Sequence, residues 1–118
     1  MFDDRSPIYQ QIAEGIKNDI LSGVLEEDGQ VMSTNQYAAF YRINPATAAK
    51  GFAQLVDEGV LYKKRGIGMF VSPDARQKLR EERRKRFFAD VVDAMLTEAR
   101  MIGVSVEEIK KHIDGGHR

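Results

Sequence analysis

Isoleucines recur at positions 8, 12, 16 and 20, with Leu21 beside the last and polar residues in the gaps. That spacing predicts an amphipathic helix opening at Ser6 as N-cap, with Pro7 at the first helical position, and running to Ser22 before Gly23 stops it. An acidic loop, Glu26 to Gly29, leads through Val31 to Ser33, which caps a second short helix over 34–41. Ile43 plugs the turn that follows. Asn44 caps a third helix with Pro45 at its first position, reaching Glu58 and ending at Gly59, with an apolar stripe of Ala48, Phe52, Leu55 and Val56. Two β-prone runs, 60–65 and 68–72, flank Gly66-Ile67 as a tight hairpin. Asp74 opens a long helix to Met101, Gly103 breaks it, and Ser105 starts a last helix to Ile113, with Glu108 three residues on as a capping box.

The order α-α-α-β-β-α-α predicts an α+β, mainly helical fold: a winged helix-turn-helix domain over 1–72, followed by a short two-helix tail over 73–118. In a helix-turn-helix the second helix enters the major groove with its first turn toward the base edges. The residues there are Asn44, Ala46, Thr47 and, one turn later, Lys50. Thr47 can donate to phosphate or touch a thymine methyl, and Lys50 can neutralise phosphate or reach guanine. Asn44 divides between base contact and plain N-cap, as do Ser33 and Thr34 at the preceding helix start. The wing offers Lys63, Lys64 and Arg65, then Gly66 and Gly68, whose missing side chains allow close backbone approach. Strand alternation stops all three cations from facing one way.

Composition sharpens this reading. The 118-residue chain has no cysteine, which excludes disulfides and thiolate chemistry. No apolar run approaches the roughly 20 residues needed to cross a bilayer, so no membrane contact and a cytoplasmic location are expected. The formal net charge is zero, but it is unevenly spread: residues 1–32 carry seven acidic and two basic side chains, and 33–72 carry five basic and two acidic. Phosphate binding depends on where charge sits, not on its sum.

The tail pattern is amphipathic. Phe88, Val92, Met95, Ala99 and Ile102 follow helical spacing, and Phe87 and Val91 widen the stripe. Two tail helices have little with which to cover such a face, which predicts burial across a two-fold axis in a homodimer. The run Arg83-Arg84-Lys85-Arg86 ahead of it reads as a solvated face, a phosphate contact or a partner for the acidic first segment. The tail is too short to wrap a metabolite pocket within one subunit, which leaves only the subunit interface for a small-molecule effector, with no residue nominated.

The succession Pro7-Ile8-Tyr9-Gln10-Gln11-Ile12, Ile20-Leu21-Ser22-Gly23, Thr47, Leu55-Val56-Asp57-Glu58-Gly59-Val60-Leu61 and Arg65-Gly66-Ile67-Gly68-Met69-Phe70-Val71 resembles the GntR family of bacterial transcription regulators. The Ile43-Asn44-Pro45-Ala46-Thr47 form and the short tail are similar to its YtrA-type subfamily. The resemblance implies a homodimer on a pseudo-palindromic operator in double-stranded DNA, usually as a repressor, associated with the bacterial nucleoid. Two departures stand out. Where the family has proline before the second-helix serine and arginine two residues after it, this chain has Met32 and Asn35. Where many members carry arginine just before the recognition-helix threonine, it has Pro45-Ala46. The operator is therefore expected to differ, with Lys50 and the wing carrying more of the affinity.

Catalysis needs a nucleophile with a base, paired carboxylates or a metal cluster. The acidic pairs Asp3-Asp4, Glu26-Glu27 and Glu107-Glu108 fall at helix starts or in loops, and His112 and His117 share the C-terminal segment with only Asp114 between them. No enzyme, cofactor or metal site is expected. The alternative to operator binding is a winged helix used for protein assembly or RNA, against which the four cations Lys50, Lys63, Lys64 and Arg65 argue.

Overall fold

A computed structural model describes residues 2–116 and divides the chain into two compact units, Met1–Arg80 and Glu81–Arg118. In the first, α1 (Ile8–Ser22), α2 (Thr34–Tyr41) and α3 (Pro45–Asp57) precede the hairpin of β1 (Leu61–Lys64) and β2 (Gly68–Val71). Helix α4 (Ala75–Phe87) follows, then a π-helical turn (Phe88–Val92), α5 (Asp93–Ile102) and α6 (Val106–Gly116). The fold is mainly helical with one small antiparallel sheet: a winged helix-turn-helix followed by a helical tail.

Helix α1 starts one residue later than its sequence suggests. The Pro7 carbonyl accepts the first helical bonds, from Gln10 and Gln11, so Pro7 is the N-cap and Ser6 lies outside. Ser6 is engaged elsewhere: its carbonyl accepts from Gln11 Nε2 at 2.7 Å, which also bonds the Asp3 carbonyl and ties the N-terminal segment to α1. Ile12, Ala13, Ile16 and Ile20 are buried as the stripe requires, whereas Ile8 is exposed. Gly23 ends the helix at φ 88°, the left-handed conformation that glycine adopts without strain.

The core joins α1 to Phe52 and Leu55 of α3, Val31, Val60, Leu61 and Val71, and takes in Ala75 and Leu79 of α4. Lys17 on α1 reaches Glu58 at the end of α3 in a 2.7 Å ion pair. Gly51 is buried as well, so α3 and α1 approach closely along the edge that carries Tyr9.

The hairpin pairs Leu61 with Val71 and Lys64 with Gly68, which makes the loop three residues long, Arg65 to Ile67, rather than two. Ile67 N donates to the Lys64 carbonyl at 3.0 Å, and Gly66 takes φ 75°, as the third residue of a type II turn must. Residues 28–31 run along β2 from a turn at Asp28, with Asp28 N on the Val71 carbonyl, Val71 N on the Gly29 carbonyl and Val31 N on the Met69 carbonyl. The acidic loop thus braces the wing, which its composition did not reveal.

In the second unit the single long helix expected to Met101 is broken in phase by the π turn. Gly103 stops α5 at φ 77°, and Ser105 and Glu108 form the expected capping box, Glu108 N to Ser105 Oγ at 3.1 Å and Ser105 N to Glu108 Oε1 at 3.3 Å. Among the described residues, no helix is long and apolar enough to cross a membrane.

Candidate nucleic-acid interface

The helix-turn-helix is set by two side-chain caps and one strained turn. Ser33 Oγ accepts from Gln36 N at 3.1 Å while Gln36 Oε1 accepts from Ser33 N at 3.0 Å, a reciprocal capping box at the start of α2. Helix α2 ends at Arg42 with φ 55°, and Ile43 N then bonds back to the Ala38 carbonyl, a Schellman closure that turns Ile43 toward the core. A left-handed conformation is uncommon for so large a residue. It leaves the Arg42 side chain exposed in the turn immediately before α3. Sequence reasoning had not nominated Arg42, although a cation between two helix signals was there to see.

Asn44 Oδ1 accepts from Ala46 N at 2.7 Å, so its side chain serves as the N-cap of α3, the plainer of its two readings. With Ala48, Gly51, Phe52 and Leu55 turned inward, the opposite face of α3 presents Ala46, Ala49, Lys50 and Ala53 to solvent, with Thr47 half-buried at its flank. This face is smooth and methyl-lined, with one cation. Methyl groups suit thymine C5-methyls, and the lone ammonium suits a phosphate or guanine. Lys50 does not hang free: its Nζ lies 4.1 Å from the centroid of the Tyr9 ring on α1.

On the wing, Lys64 shares a face with Tyr62 and Phe70, its Nζ 4.6 Å from the Phe70 ring. Lys63 points to the opposite face, as alternation demands, and Arg65 occupies the turn with Gly66. Tyr62 Oη donates to Asp28 Oδ1 at 2.8 Å, and this bond, ahead of burial, raises the Tyr62 phenol above its ordinary pKa. Gly68 has φ 146°, a conformation that L side chains rarely adopt, so the wing backbone itself favours glycine there; a Cβ would also displace Gln30 Nε2, 2.6 Å away. Gln30 Nε2 donates to the Ile67 carbonyl at 3.1 Å and pins the wing tip. Thr34 and Asn35 complete the nominated set at the first turn of α2, with Asn35 exposed.

A separate cleft of about 640 Å³ lies in the first unit between the N-terminal segment, α1 and α2, with Phe2, Asp3, Asp19, Tyr37 and Tyr41 among its walls. Its Asp3 is spoken for by Arg5 at 2.8 Å, a pairing that holds the Asp3 carboxyl below its ordinary pKa. Burial, helped by Tyr41 and Asp19, pushes the Tyr37 phenol up to about 12. Among the described residues no group of three or more His, Asp or Glu side chains is placed to hold a metal ion, and His117 lies outside them.

In the second unit Phe87, Phe88, Val91, Met95 and Ile102 are exposed, Phe88 to 63%, and Val92 is half-buried; Ala99 alone of the nominated face is buried, at 7%.

Residues 8–71, the span from α1 to the end of the wing, match the bacterial regulatory proteins of the gntR family. The chain belongs to that family. It is similar to the HTH-type transcriptional repressor YtrA of Bacillus subtilis, 28% identical over 113 residues that cover 94% of this chain and 86% of the relative. Among solved structures, a transcriptional regulator from Oenococcus oeni superposes with a TM-score of 0.81 at 28% identity, covering 97% of this chain and 93% of the other. AraR(DBD) in complex with operator ORX1 superposes at a TM-score of 0.56 and 27% identity, over 61% of this chain and 93% of that one. This gntR-family chain is accordingly a DNA-binding transcription regulator.

Proposed function

We propose that this regulator is a repressor that binds a pseudo-palindromic operator as a homodimer, acting on the nucleoid in the cytoplasm by occupancy and not by catalysis. The observation that carries the reading is the exposed face of α3 (Ala46, Ala49, Lys50), with exposed Arg42 in the turn that precedes it and exposed Arg65 in the wing turn that follows. Thr47 touches a phosphate or thymine methyl, and Asn35 and Thr34 meet the backbone at the start of α2. Ser33 and Asn44 hold the two helix starts in shape. The YtrA relative is named a repressor, and AraR(DBD) was solved on an operator, which supports the same use of this face.

Dimerisation is assigned to the second unit. The π turn closes i→i+5 and so admits one residue more than an α turn. The turn spans Phe88–Val92, in the middle of the apolar stripe, and shifts the phase of Met95, Ala99 and Ile102 relative to Phe87. A second copy of that face buries it, and a two-fold dimer suits an operator whose half-sites lie about one DNA turn, roughly 34 Å, apart. An effector, where there is one, binds between the subunits.

The test is fluorescence anisotropy of the full chain on the duplex flanking its own gene and on a scrambled duplex, across a salt series. The first should bind about 10³-fold tighter, and both should weaken steeply with salt. Absence of binding even at low salt would overturn the reading in favour of a protein-assembly role.

A further inference from the structure

We infer that Tyr9, on α1 and outside the DNA-reading helix, is a positioning residue for operator recognition: its ring holds the Lys50 ammonium at the edge of the groove-facing surface. This rests on the reading of Lys50 as a DNA contact. Three observations converge. The Lys50 Nζ lies 4.1 Å from the Tyr9 ring centroid, well inside the roughly 6 Å reach of a cation–π interaction. The next residue is Gly51, whose absent side chain lets α3 come against the Tyr9 carbonyl, so the pairing is built by the α1–α3 contact and not by chance extension of a long side chain. Tyr9 is itself half-buried, and its Oη accepts from Gln10 Nε2 at 3.3 Å, which steadies the ring.

The physical consequence concerns order. A lysine has four rotatable side-chain bonds and gives up much rotamer freedom when fixed. An ammonium already parked over an aromatic face has surrendered part of that before DNA arrives. It keeps its charge and its outward donors, because a ring contacts one side of the ammonium only. Lys50 is the single cation on the exposed face of α3, so its placement decides where that face can anchor.

The experiment is a double-mutant cycle on the full chain, read as affinity for a duplex that wild-type protein has selected from a random-sequence library. Tyr9→Leu is expected to weaken binding about three- to tenfold, and Tyr9→Phe, which keeps the ring, to bind within about twofold of wild type. In a Lys50→Ala background Tyr9→Leu should have no further effect, because the group it positions is gone. Equal losses from Tyr9→Leu with and without Lys50 would reduce Tyr9 to a packing residue and overturn the inference. If Lys50→Ala weakens binding while Tyr9→Leu does not, the inference falls and the DNA assignment of Lys50 stands. Wild-type affinity for Lys50→Ala overturns both.

Discussion

The carbonyl oxygen of Tyr9 occupies the space that a side chain on Gly51 would need: a Cβ there would lie 2.9 Å from it and 3.1 Å from Ile12 Cγ2. In a free helix, replacing glycine by alanine gains about 1 kcal/mol. Here the methyl group meets backbone on a facing helix, which cannot swing aside. Gly51→Ala is therefore expected to destabilise the domain by about 1–3 kcal/mol, the usual range for overpacking. Urea unfolding decides it, and a rise in the midpoint would show that α1 and α3 can part without loss.

That glycine marks the boundary of what the sequence discloses. Signals confined to a few neighbouring residues were legible: Asn44-Pro45 opening α3, Ser33 opening α2, the Ser105–Glu108 box, and glycines at Gly23 and Gly103. Each depends on a local backbone requirement that few residue types meet. Features that depend on a distant partner were not legible. Gln30 reads as a loop residue until Ile67 is seen beside it, and Tyr9 as one more residue of a helix until α3 brings Lys50 over its ring. Gly68 was read as a groove-approach glycine, and its φ of 146°, which few side chains adopt, becomes visible only in the folded wing. The π turn lacks a composition signal, because Phe88 to Val92 fit an α-helix equally well residue by residue.

The wing tip offers a direct test of its brace. Gln30 Nε2 holds the Ile67 carbonyl, and Ile67 N closes the turn on Lys64. Gln30→Ala removes one exposed hydrogen bond, so global stability should fall by no more than about 1 kcal/mol. Hydrogen exchange at the Ile67 amide, in contrast, should accelerate markedly, since local opening no longer has to break the tether. Unchanged exchange at Ile67 would mean that the turn is rigid without Gln30.

Arg42 precedes α3 in the chain and Arg65 follows it in the wing turn, both exposed, and their charges can be separated from their folds. Arg42→Gly suits φ 55° better than arginine does and leaves the turn intact while removing the cation. If Arg42 meets phosphate, the slope of log affinity against log salt should fall by about one unit with little change in base preference. Arg65→Ala and Lys50→Ala should each cost about 1–3 kcal/mol where they meet bases, and shift the salt slope where they meet phosphate. A slope and affinity that match wild type in all three variants would remove the groove assignment.

The apolar face of the second unit should set the oligomeric state. Phe88 is exposed and Val92 half-buried, so a carboxylate at either position is hydrated in a lone chain and buried in a pair. Burying an unpaired charge is prohibitive, so Phe88→Asp and Val92→Asp should each yield monomers. Sedimentation velocity reads this directly. A dimer that survives both substitutions would place the contact elsewhere on the chain.

Tyr37 should leave a signature at high pH. Burial is the main cause of its shift, and the neighbouring Tyr41 and Asp19 add to it, raising the phenol from 10.0 to about 12. A raised folded pKa means that between those two values the unfolded chain has released the proton while the folded chain still holds it. Stability gained from the neutral phenol is therefore complete below pH 10 and declines as pH climbs toward 12. A tyrosinate absorbance titration should show the Tyr37 step displaced above 10.0 toward about 12. Tyr37→Phe removes the ionisable group but keeps the ring that packs 5.3 Å from Phe52. Its stability should consequently decline less than wild type over that window, and parallel curves for the two proteins would show that Tyr37 does not govern the alkaline limb.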